Sequence, residues 1–263
     1  MPISHNHKCL FIHIPKTGGI SWRNMLGIKE DSILNETNKM VVHGCTGLSR
    51  DHPRVFEKMH FLMIHLMQLK LVDKETFNNY FKFAFVRNPW DKLVSSYYHH
   101  WHKYFNNFDL FINKLIEPLE YINKNFVFDI NNFFYEDYSR IIYNIRYNKD
   151  LRQAYEPQFE DMISTDRDYD YFVYFSPSFI PQCLYVCDSS SLCTGDLLVD
   201  FIGRFENYEN DVTFILNHLG INTEIKKMNS SKHSLYREIY NNKTRDIVAQ
   251  LYANDIEMFG YEY

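Results

Sequence analysis

Short apolar runs of strand length recur along the chain, and the first lies near its start. Residues 9–14 form this run, and Pro15-Lys-Thr-Gly-Gly19 then breaks it. After the break, apolar side chains recur at helical spacing at Trp22, Met25 and Leu26. The pattern predicts a strand, a tight loop and a helix in that order.

Three further apolar runs, at residues 59–64, 81–86 and 197–202, predict additional strands. The run at 81–86 ends in Arg87-Asn88-Pro89, and a proline suits the first turn of the helix that follows. That helix carries an apolar stripe, which is predicted to face the core and consists of Leu93, Val94, Tyr97, Tyr98 and Trp101.

Strands that alternate with helices predict right-handed crossovers, a parallel sheet and therefore an α/β fold. We expect a single domain over residues 1–263, in which residues 104–181 form a mostly helical insertion or lid. Residues 235–259 are predicted to close the domain as one long helix. Ligands bind at the carboxyl ends of such strands, so the loops after residues 14 and 86 are the candidate binding loops.

Composition and charge indicate an ordinary globular protein. The 263 residues include 28 Lys and Arg against 33 Asp and Glu, which gives a net charge of −5. Nucleic-acid-binding domains usually carry a clear basic excess, so nucleic acid is not an expected partner. Neither a signal peptide nor a run of about eighteen apolar residues is seen, which predicts a soluble, cytoplasmic protein without a membrane span.

Cysteines are few and odd in number, at five, which favours a reducing compartment over a disulfide scaffold. Cys183, Cys187 and Cys193 lie close together in sequence, and a hairpin disulfide between Cys187 and Cys193 remains an alternative. A zinc site at this cluster would need a fourth ligand and a closer spacing, so no metal is predicted.

The loop after the first strand has the composition of an anion cradle. Its glycines let the backbone approach a ligand, and the helix that follows presents N–H groups and a positive dipole end. Lys16, Thr17 and Ser21 add a cation and two hydroxyls. The alternative is a plain helix start with a glycine turn. An ATP-binding Walker loop is disfavoured because Lys16 precedes the glycines instead of following them.

The loop after residue 86 supplies a second, independent anion-binding pattern. Arg87 ends the predicted strand, and Ser95 lies two helical turns into the next element. Both side chains could meet the same anion if the helix folds back past the strand end. The alternative is an Arg87 that pairs with Asp91 and a Ser95 on a helix surface.

These two loops, with a third motif, resemble a known family. The segments IPKTGG, FVRNPWDKLVSSYY and VDFIGRFEN are similar to the Sulfotransfer_2-type sulfotransferases, which include heparan sulfate 2-O-sulfotransferase and many carbohydrate sulfotransferases. The resemblance runs in order along the chain and is weakest between residues 104 and 181. It implies a P-loop-like α/β fold, with a parallel sheet flanked by helices and a mostly helical insertion.

By resemblance, the donor is 3′-phosphoadenosine 5′-phosphosulfate, and Arg87 and Ser95 hold its 3′-phosphate. The first loop binds the 5′-phosphosulfate through Lys16, Thr17, Gly18, Gly19, Ile20 and Ser21. Ile20 stands where the family commonly has a Thr, so one hydroxyl contact is absent here. A third donor segment corresponds to residues 229–232, and Glu206 matches a recurrent family Glu for which we expect a structural role.

The resemblance also selects a candidate base among the twelve histidines. His65 follows the predicted strand at 59–64 and lies 22 residues before Arg87, the spacing of the catalytic His in heparan sulfate 2-O-sulfotransferase. A histidine suits proton removal near neutral pH. His43 is the reserve candidate, and the alternative for His65 is a capping or buried histidine with an ordinary hydrogen bond. Lys16 is the second predicted catalytic residue, because its charge would stabilise the leaving group.

Two further clusters have a functional and a plain interpretation. His99, His100 and His102 suggest a metal site, but no carboxylate lies at a matching offset, which favours a solvated helix face. A basic stretch could hold an acidic sugar or form a solvated face, and it consists of Arg140, Arg146, Lys149 and Arg152.

The predicted function is therefore sulfuryl transfer from the nucleotide donor to a hydroxyl, with a glycan as the expected acceptor. Two alternatives remain: a protein that binds adenosine bisphosphate without catalysis, and a kinase that needs Mg-ATP. In the family that the sequence resembles, the known eukaryotic carbohydrate sulfotransferases are Golgi membrane proteins with an N-terminal anchor. The lack of such a segment in the sequence leads us to expect a cytoplasmic version instead.

Overall fold

A computed structural model describes residues 3–26, 63, 72–99, 101–125, 178–188, 196–225 and 235–263. Within these ranges the strands form one sheet in the order β1-β2-β3-β4. They are β1 Ile3–Ser4, β2 Cys9–Ile12, β3 Phe81–Val86 and β4 Phe201–Arg204. β3 runs parallel to both β2 and β4, and β1 is antiparallel to β2. The predicted α/β fold is confirmed.

Helices flank this sheet. The described ones are α1 Gly19–Met25, α2 Lys74–Asn79, α3 Pro89–His99, α4 Phe108–Asn125, α5 Cys183–Val186, α6 Tyr208–His218, α7 Tyr236–Ile239, α8 Asn242–Leu251 and α9 Ala253–Phe259. Short 3₁₀ turns span Trp101–Lys103 and Phe205–Asn207. α3 begins at Pro89, as predicted, because the missing N–H of proline costs nothing in a first turn.

Both faces of the sheet are buried, as the unbroken apolar sequence of β2 predicts for a covered parallel strand. Successive side chains point to opposite faces, so Phe11, Phe83 and Phe85 share one face and pack with Trp22 of α1 and Ile215 of α6. The other face packs against α5 and the end of α9, and its buried strand residues are Leu10, Ile12, Ala84 and Val86. The carboxyl ends of β2 and β3 therefore emerge together between two packed layers.

A separate core joins α3, α4 and the C-terminal helices. The stripe predicted on α3 is buried at Leu93, Val94, Tyr97 and Trp101. Tyr98 is an exception, because 40% of it is exposed. α4 lies within the predicted insertion, but residues 126–177 fall outside the described ranges. The helical insertion and the single-domain organisation therefore stay predictions.

The strand predicted at residues 59–64 is not supported at its one described position, since Met63 is helical and fully buried. Periodicity alone does not separate a short buried strand from a buried helical segment, which explains the error. The rest of that run lies outside the described ranges.

The fourth strand begins at Phe201, four residues later than predicted. At Asp200 a side chain takes over part of the pairing: the Asp200 N–H donates to the Lys82 carbonyl at 2.7 Å, while its carboxylate accepts from the Lys82 backbone N–H at 2.7 Å and pairs with the Lys82 ammonium at 2.9 Å. Leu197 forms an isolated antiparallel bridge with Cys187 instead. Leu198 and Val199 thus pack with the core around α5, outside the sheet, while Leu197 is half exposed.

The single closing helix predicted for residues 235–259 is wrong, since this segment forms α7, α8 and α9. Tyr240 has an extended backbone that ends α7, and Asn241 starts α8 with a capping box shared with Thr244. A second break at Tyr252 separates α8 from α9. Asparagine competes for backbone hydrogen bonds and favours helix starts, which the apolar spacing alone did not reveal.

Candidate functional site

The loop between β2 and α1 has the backbone shape of an anion cradle. Lys16 and Gly18 both adopt left-handed conformations, with φ of 71° and 89°. The Thr17 hydroxyl donates to the Ile14 carbonyl at 2.8 Å, which closes the loop on itself. Gly18 caps α1 without a side-chain hydrogen bond, and the first turn of α1 contains no acidic residue. Backbone N–H groups in such a left-handed loop favour a negatively charged ligand.

The cradle is packed so closely that its glycines admit no side chain. A Cβ atom on Gly19 would lie 1.8 Å from Cδ2 and 1.9 Å from Nε2 of His13. His13 is buried and stacks on Phe11, with ring centroids 5.7 Å apart, so its ring has little room to move. A Cβ atom on Gly18 would lie 2.8 Å from the Tyr208 ring. Gly18 is therefore required by both packing and backbone conformation, and Gly19 by packing alone.

We expect Gly19→Ala to weaken binding of adenosine 3′,5′-bisphosphate by about tenfold or more, because the methyl group must displace either the loop or His13. His13→Ala combined with Gly19→Ala should recover most of the affinity, since the shortened side chain opens the needed space. Calorimetric titration of both variants checks this. Equal affinity losses in the single and the double variant would show that the His13 contact does not shape the loop.

Lys16 lies in this loop as a partly buried cation beside a second cation. Burial, with the nearby Arg87 charge as a smaller cause, lowers the pKa of the Lys16 ammonium from 10.5 to about 8. Among the described ranges no carboxylate forms an ion pair with it. A desolvated ammonium without an acidic partner gains free energy from an incoming anion.

Arg87 links the two candidate loops. Its Nη1 donates to the Lys16 carbonyl at 3.1 Å, while Nε and Nη2 both reach Oδ2 of Asp91 at 2.8 Å. The guanidinium also lies 4.3 Å from the centre of the Phe205 ring. Arg87 therefore pairs with Asp91, which is one of the two alternatives that the sequence left open. It also contacts the cradle through the Lys16 carbonyl. These hydrogen bonds use three of the five guanidinium N–H donors.

Ser95 is buried on α3, one helical turn after Asp91. Residues four apart on a helix share a face, so Ser95 continues the line that begins with the Arg87–Asp91 pair. The structure thus places Ser95 on the α3 face that carries the partner of Arg87.

The loop that presents Arg87 is fixed by contacts from distant parts of the chain. Glu206 accepts a hydrogen bond from the Asn88 backbone at 2.6 Å and another from the Tyr261 hydroxyl at 3.2 Å. The Asn88 side chain caps α3 by accepting from the Trp90 backbone at 3.1 Å, and it donates to the Glu262 carbonyl at 2.9 Å. The structural role expected for Glu206 fits these contacts.

Tyr208 is a site residue that sequence reasoning missed. Its hydroxyl donates to the Gly18 carbonyl at 3.4 Å and is hydrogen-bonded to Ser21, so it ties the start of α6 to the cradle. Burial raises the pKa of Tyr208, which keeps it a neutral hydrogen-bond partner. The available signal was its position directly after the VDFIGRFEN motif.

Several predicted residues lie outside the described ranges. These are His65, His43, His100, residues 229–232 and the basic residues of 140–152, and the side chain of Ile20 is likewise not described. The Ile20 backbone belongs to α1. His99 and His102 are exposed, and His102 contacts the Tyr97 carbonyl at 3.3 Å. In the part of the chain that the structure covers, no group of His, Cys, Asp and Glu is arranged to hold a metal.

The cysteines differ from the sequence expectation. Cys187 is a free, buried thiol, so the hairpin disulfide to Cys193 does not form. Burial raises the pKa of this thiol to about 12. Cys183 is disulfide-bonded. The expected reducing compartment does not fit this bond, because disulfides persist mainly in oxidising surroundings.

Comparison with known proteins gives evidence for the family of this chain that does not depend on the geometry of the site. A sequence model described as "Sulfotransferase family" matches residues 1–262. Carbohydrate sulfotransferase 10 of Xenopus laevis is 26% identical over 99% of this chain and 66% of its own length. Carbohydrate sulfotransferase 9 of Homo sapiens is 22% identical over 98% of this chain and 52% of its own length. An uncharacterized protein of Archaeoglobus fulgidus is 25% identical over 64% of this chain and 92% of its own length. No solved structure matches.

The cytoplasmic location expected from the sequence is wrong. Both named relatives are carbohydrate sulfotransferases. The known eukaryotic members of that group are Golgi membrane proteins, as stated above for the family that the sequence resembles. The chain spans about two thirds and about half of their respective lengths. No helix in the described ranges is both long and apolar enough to cross a membrane.

Proposed function

Because this chain belongs to the sulfotransferase family, we propose that it transfers a sulfuryl group from 3′-phosphoadenosine 5′-phosphosulfate to a hydroxyl of a carbohydrate. The observation that carries the proposal is the convergence of Lys16 and Arg87 at one sheet edge. Lys16 has no carboxylate partner in the described ranges, and Arg87 bonds the Lys16 carbonyl at 3.1 Å. Two adjacent cations suit a donor with anionic groups at both its 3′ and 5′ positions.

The donor's 5′-phosphosulfate is assigned to the cradle and its 3′-phosphate to Arg87 and Ser95. Lys16 supplies charge, and Gly18, Gly19 and Ile20 supply backbone N–H groups at the start of α1. The Ser21 N–H already donates to the Gly18 carbonyl at 3.1 Å, so Ser21 contributes through its hydroxyl. The hydroxyl proton of Thr17 is committed to Ile14, so Thr17 contributes its backbone N–H instead. Arg87 keeps two N–H donors beyond those that orient it, which is enough for a bidentate phosphate contact.

In the proposed reaction a bond forms between the acceptor oxygen and sulfur, and the bond from sulfur to the 5′-phosphate oxygen breaks. Lys16 stabilises the negative charge that develops on this leaving oxygen. His65, the proposed base, takes the proton of the acceptor hydroxyl. The products are a sulfate ester and adenosine 3′,5′-bisphosphate. Catalysis of this kind rests mainly on in-line positioning and electrostatics, and no metal is part of the proposal.

A carbohydrate acceptor is proposed because both named relatives are carbohydrate sulfotransferases. The test is transfer of labelled sulfate from the donor to a panel of neutral and uronic-acid-containing glycans. We expect a labelled sulfate ester on at least one glycan. Donor binding without any transfer would support the non-catalytic alternative, and phosphate transfer from Mg-ATP in the same panel would support a kinase.

The pKa of Lys16 predicts how donor binding depends on pH. The ammonium form of Lys16 binds a phosphate more tightly than the neutral amine does, so a bound phosphate raises this pKa. In the unliganded protein the ammonium form is lost as the pH rises through about 8. We therefore expect the affinity for adenosine 3′,5′-bisphosphate to fall above pH 8, by up to about tenfold per pH unit. Calorimetry in buffers of different ionisation enthalpy should show uptake of about half a proton near pH 8.

Lys16→Arg provides the matched control for this pH dependence. An arginine stays charged throughout the range, so its binding curve should be flat from pH 7 to 9.5. A flat curve for the unmodified protein would instead mean that Lys16 does not contact the nucleotide.

A further inference from the structure

The backbone of Arg87 is held by one buried side chain. The side-chain oxygen of Gln182, Oε1, accepts from the backbone N–H of Arg87 at 2.9 Å. The side-chain nitrogen, Nε2, donates to the backbone carbonyl of Arg87 at 2.8 Å. The last register pair of β3 with β4 is Val86 with Arg204, so Arg87 lies just past the ladder. Gln182 thus supplies at this position the two hydrogen bonds that a neighbouring strand would otherwise make.

Gln182 is itself held by a buried carboxylate from α9. Asp255 Oδ2 accepts from the Gln182 backbone at 2.8 Å and from its side-chain amide at 3.3 Å, while Oδ1 accepts from the Cys183 backbone at 2.8 Å. Both Gln182 and Asp255 are fully buried. The carboxylate orients the Gln182 amide, because an acceptor-only group forces the NH₂ end toward itself and toward the Arg87 carbonyl.

Lys92 supplies the opposite charge for Asp255. It is buried on α3, and its ammonium donates to the carbonyls of Ser178 at 2.7 Å and Ile180 at 3.2 Å. Burial raises the pKa of the Asp255 carboxyl, and the hydrogen bonds from Cys183 and Gln182 together with the Lys92 charge offset part of this rise. Two neighbouring residues of α3 therefore influence Arg87. Asp91 orients its guanidinium directly, and Lys92 supports Asp255, which holds Gln182.

We propose that Gln182 and Asp255 are positioning residues that set the preference of this protein for a 3′-phosphate. Asp255 fixes the Gln182 amide, Gln182 fixes the Arg87 backbone, and the fixed backbone aims the guanidinium between Asp91 and the Lys16 carbonyl. None of these contacts reaches the ligand except through Arg87. The inference rests on the proposed function, because it assigns Arg87 to the 3′-phosphate.

The test compares the affinities of adenosine 3′,5′-bisphosphate and AMP, which differ only by the 3′-phosphate. Their ratio is measured by calorimetry on the full chain for Arg87→Ala and Gln182→Met. Met has a similar length but makes neither hydrogen bond to Arg87. We expect Arg87→Ala to remove most of the preference for the bisphosphate and Gln182→Met to reduce the preference by about tenfold or more.

Tyr252→Phe is the matched control. The Tyr252 hydroxyl donates to the Phe179 carbonyl at 2.7 Å, so it joins the same two regions of the chain without contacting Arg87. This variant should keep the wild-type ratio. A loss of preference as large as that of Gln182→Met would mean that general loosening of the region is the cause, which overturns the proposal.

Failure of the inference and failure of the proposed function give different results. If Arg87→Ala loses the preference and Gln182→Met keeps it, the positioning role is wrong and the donor site stands. If Arg87→Ala itself keeps the preference, the 3′-phosphate assignment falls, and the positioning role falls with it.

A measurement on the unmodified chain covers the case in which Gln182→Met does not fold. The side-chain amide of Gln182, followed by NMR in protein labelled at glutamine nitrogen, should shift when the bisphosphate binds and stay in place when AMP binds. An amide resonance that responds equally to both nucleotides would contradict the proposal.

Discussion

Replacing Lys16 with Met is expected to weaken binding of adenosine 3′,5′-bisphosphate by about a hundredfold or more and to stabilise the unliganded protein. The affinity falls because the cradle loses its charge. The stability rises because the pKa of Lys16 is about 8 in the folded protein, below its ordinary 10.5, so at pH 7 the buried charge opposes folding. Calorimetric titration and thermal unfolding measure the two effects on the same sample.

Lys8→Met is the control for this substitution. Lys8 is the other described lysine with a left-handed backbone, at a φ of 48°, but it is exposed in the turn between β1 and β2. Its replacement should change neither nucleotide affinity nor, beyond a few tenths of a kcal/mol, stability. An affinity loss in Lys16→Met that comes with a lower melting temperature would point to a damaged fold instead of a lost ligand contact.

Replacing His65 with Ala is expected to lower turnover by about a hundredfold to ten-thousandfold while leaving nucleotide affinity unchanged. General-base removal acts on the acceptor hydroxyl and not on the donor, so binding and chemistry should separate. Titration with adenosine 3′,5′-bisphosphate and steady-state transfer to the best glycan measure the two quantities. Because a protonated histidine cannot accept the proton, we also expect wild-type turnover to fall toward acid pH and this dependence to disappear in the variant.

His43→Ala and His102→Ala serve as comparisons for the base. His102 is exposed and contacts the Tyr97 carbonyl, so its loss should leave turnover near the wild-type value. His43 is the reserve candidate and should also be close to wild type. Wild-type turnover in His65→Ala with a large loss in His43→Ala would reassign the base to His43.

The sequence predicted the parts of the fold that local pattern controls. The strand within the apolar run at 9–14, the helix that begins at the glycine pair and the start of α3 at Pro89 all follow from neighbouring residues. The same local pattern placed Lys16 and Arg87 after two strands of a parallel sheet, and the structure shows that these strands are neighbours and that the two residues meet at one edge. Local pattern was therefore sufficient to identify the candidate binding loops.

Side chains from distant segments explain what the sequence left open. Arg87 interacts with Asp91 four residues away, which the helix spacing suggested, but its backbone is held by Gln182, 95 residues along the chain. Asp255 acts on Gln182 from 73 residues further on. No local periodicity marks such contacts, because a lone buried Gln or Asp looks like any polar residue in the sequence.

The wrong prediction at the C-terminal segment and the alternative left open at the cysteines have the same origin. Apolar spacing over residues 235–259 fits one helix, yet Asn241 caps a new one and Tyr252 breaks it again. Cysteine spacing left a bond between Cys187 and Cys193 open as an alternative, whereas Cys187 packs against Met258 and is a free thiol. Packing partners decided both outcomes, and spacing in the sequence does not reveal those partners.

The central claim is that the Lys16 and Arg87 loops form a binding site for a nucleotide with a 3′-phosphate and a 5′-phosphate. Calorimetric titration of the unmodified chain with adenosine 3′,5′-bisphosphate, AMP and Mg-ATP tests this claim most directly, since it needs no knowledge of the acceptor. We expect the bisphosphate to bind at least about tenfold tighter than either AMP or Mg-ATP. Equal affinity for AMP and the bisphosphate, or tighter binding of Mg-ATP, would contradict it.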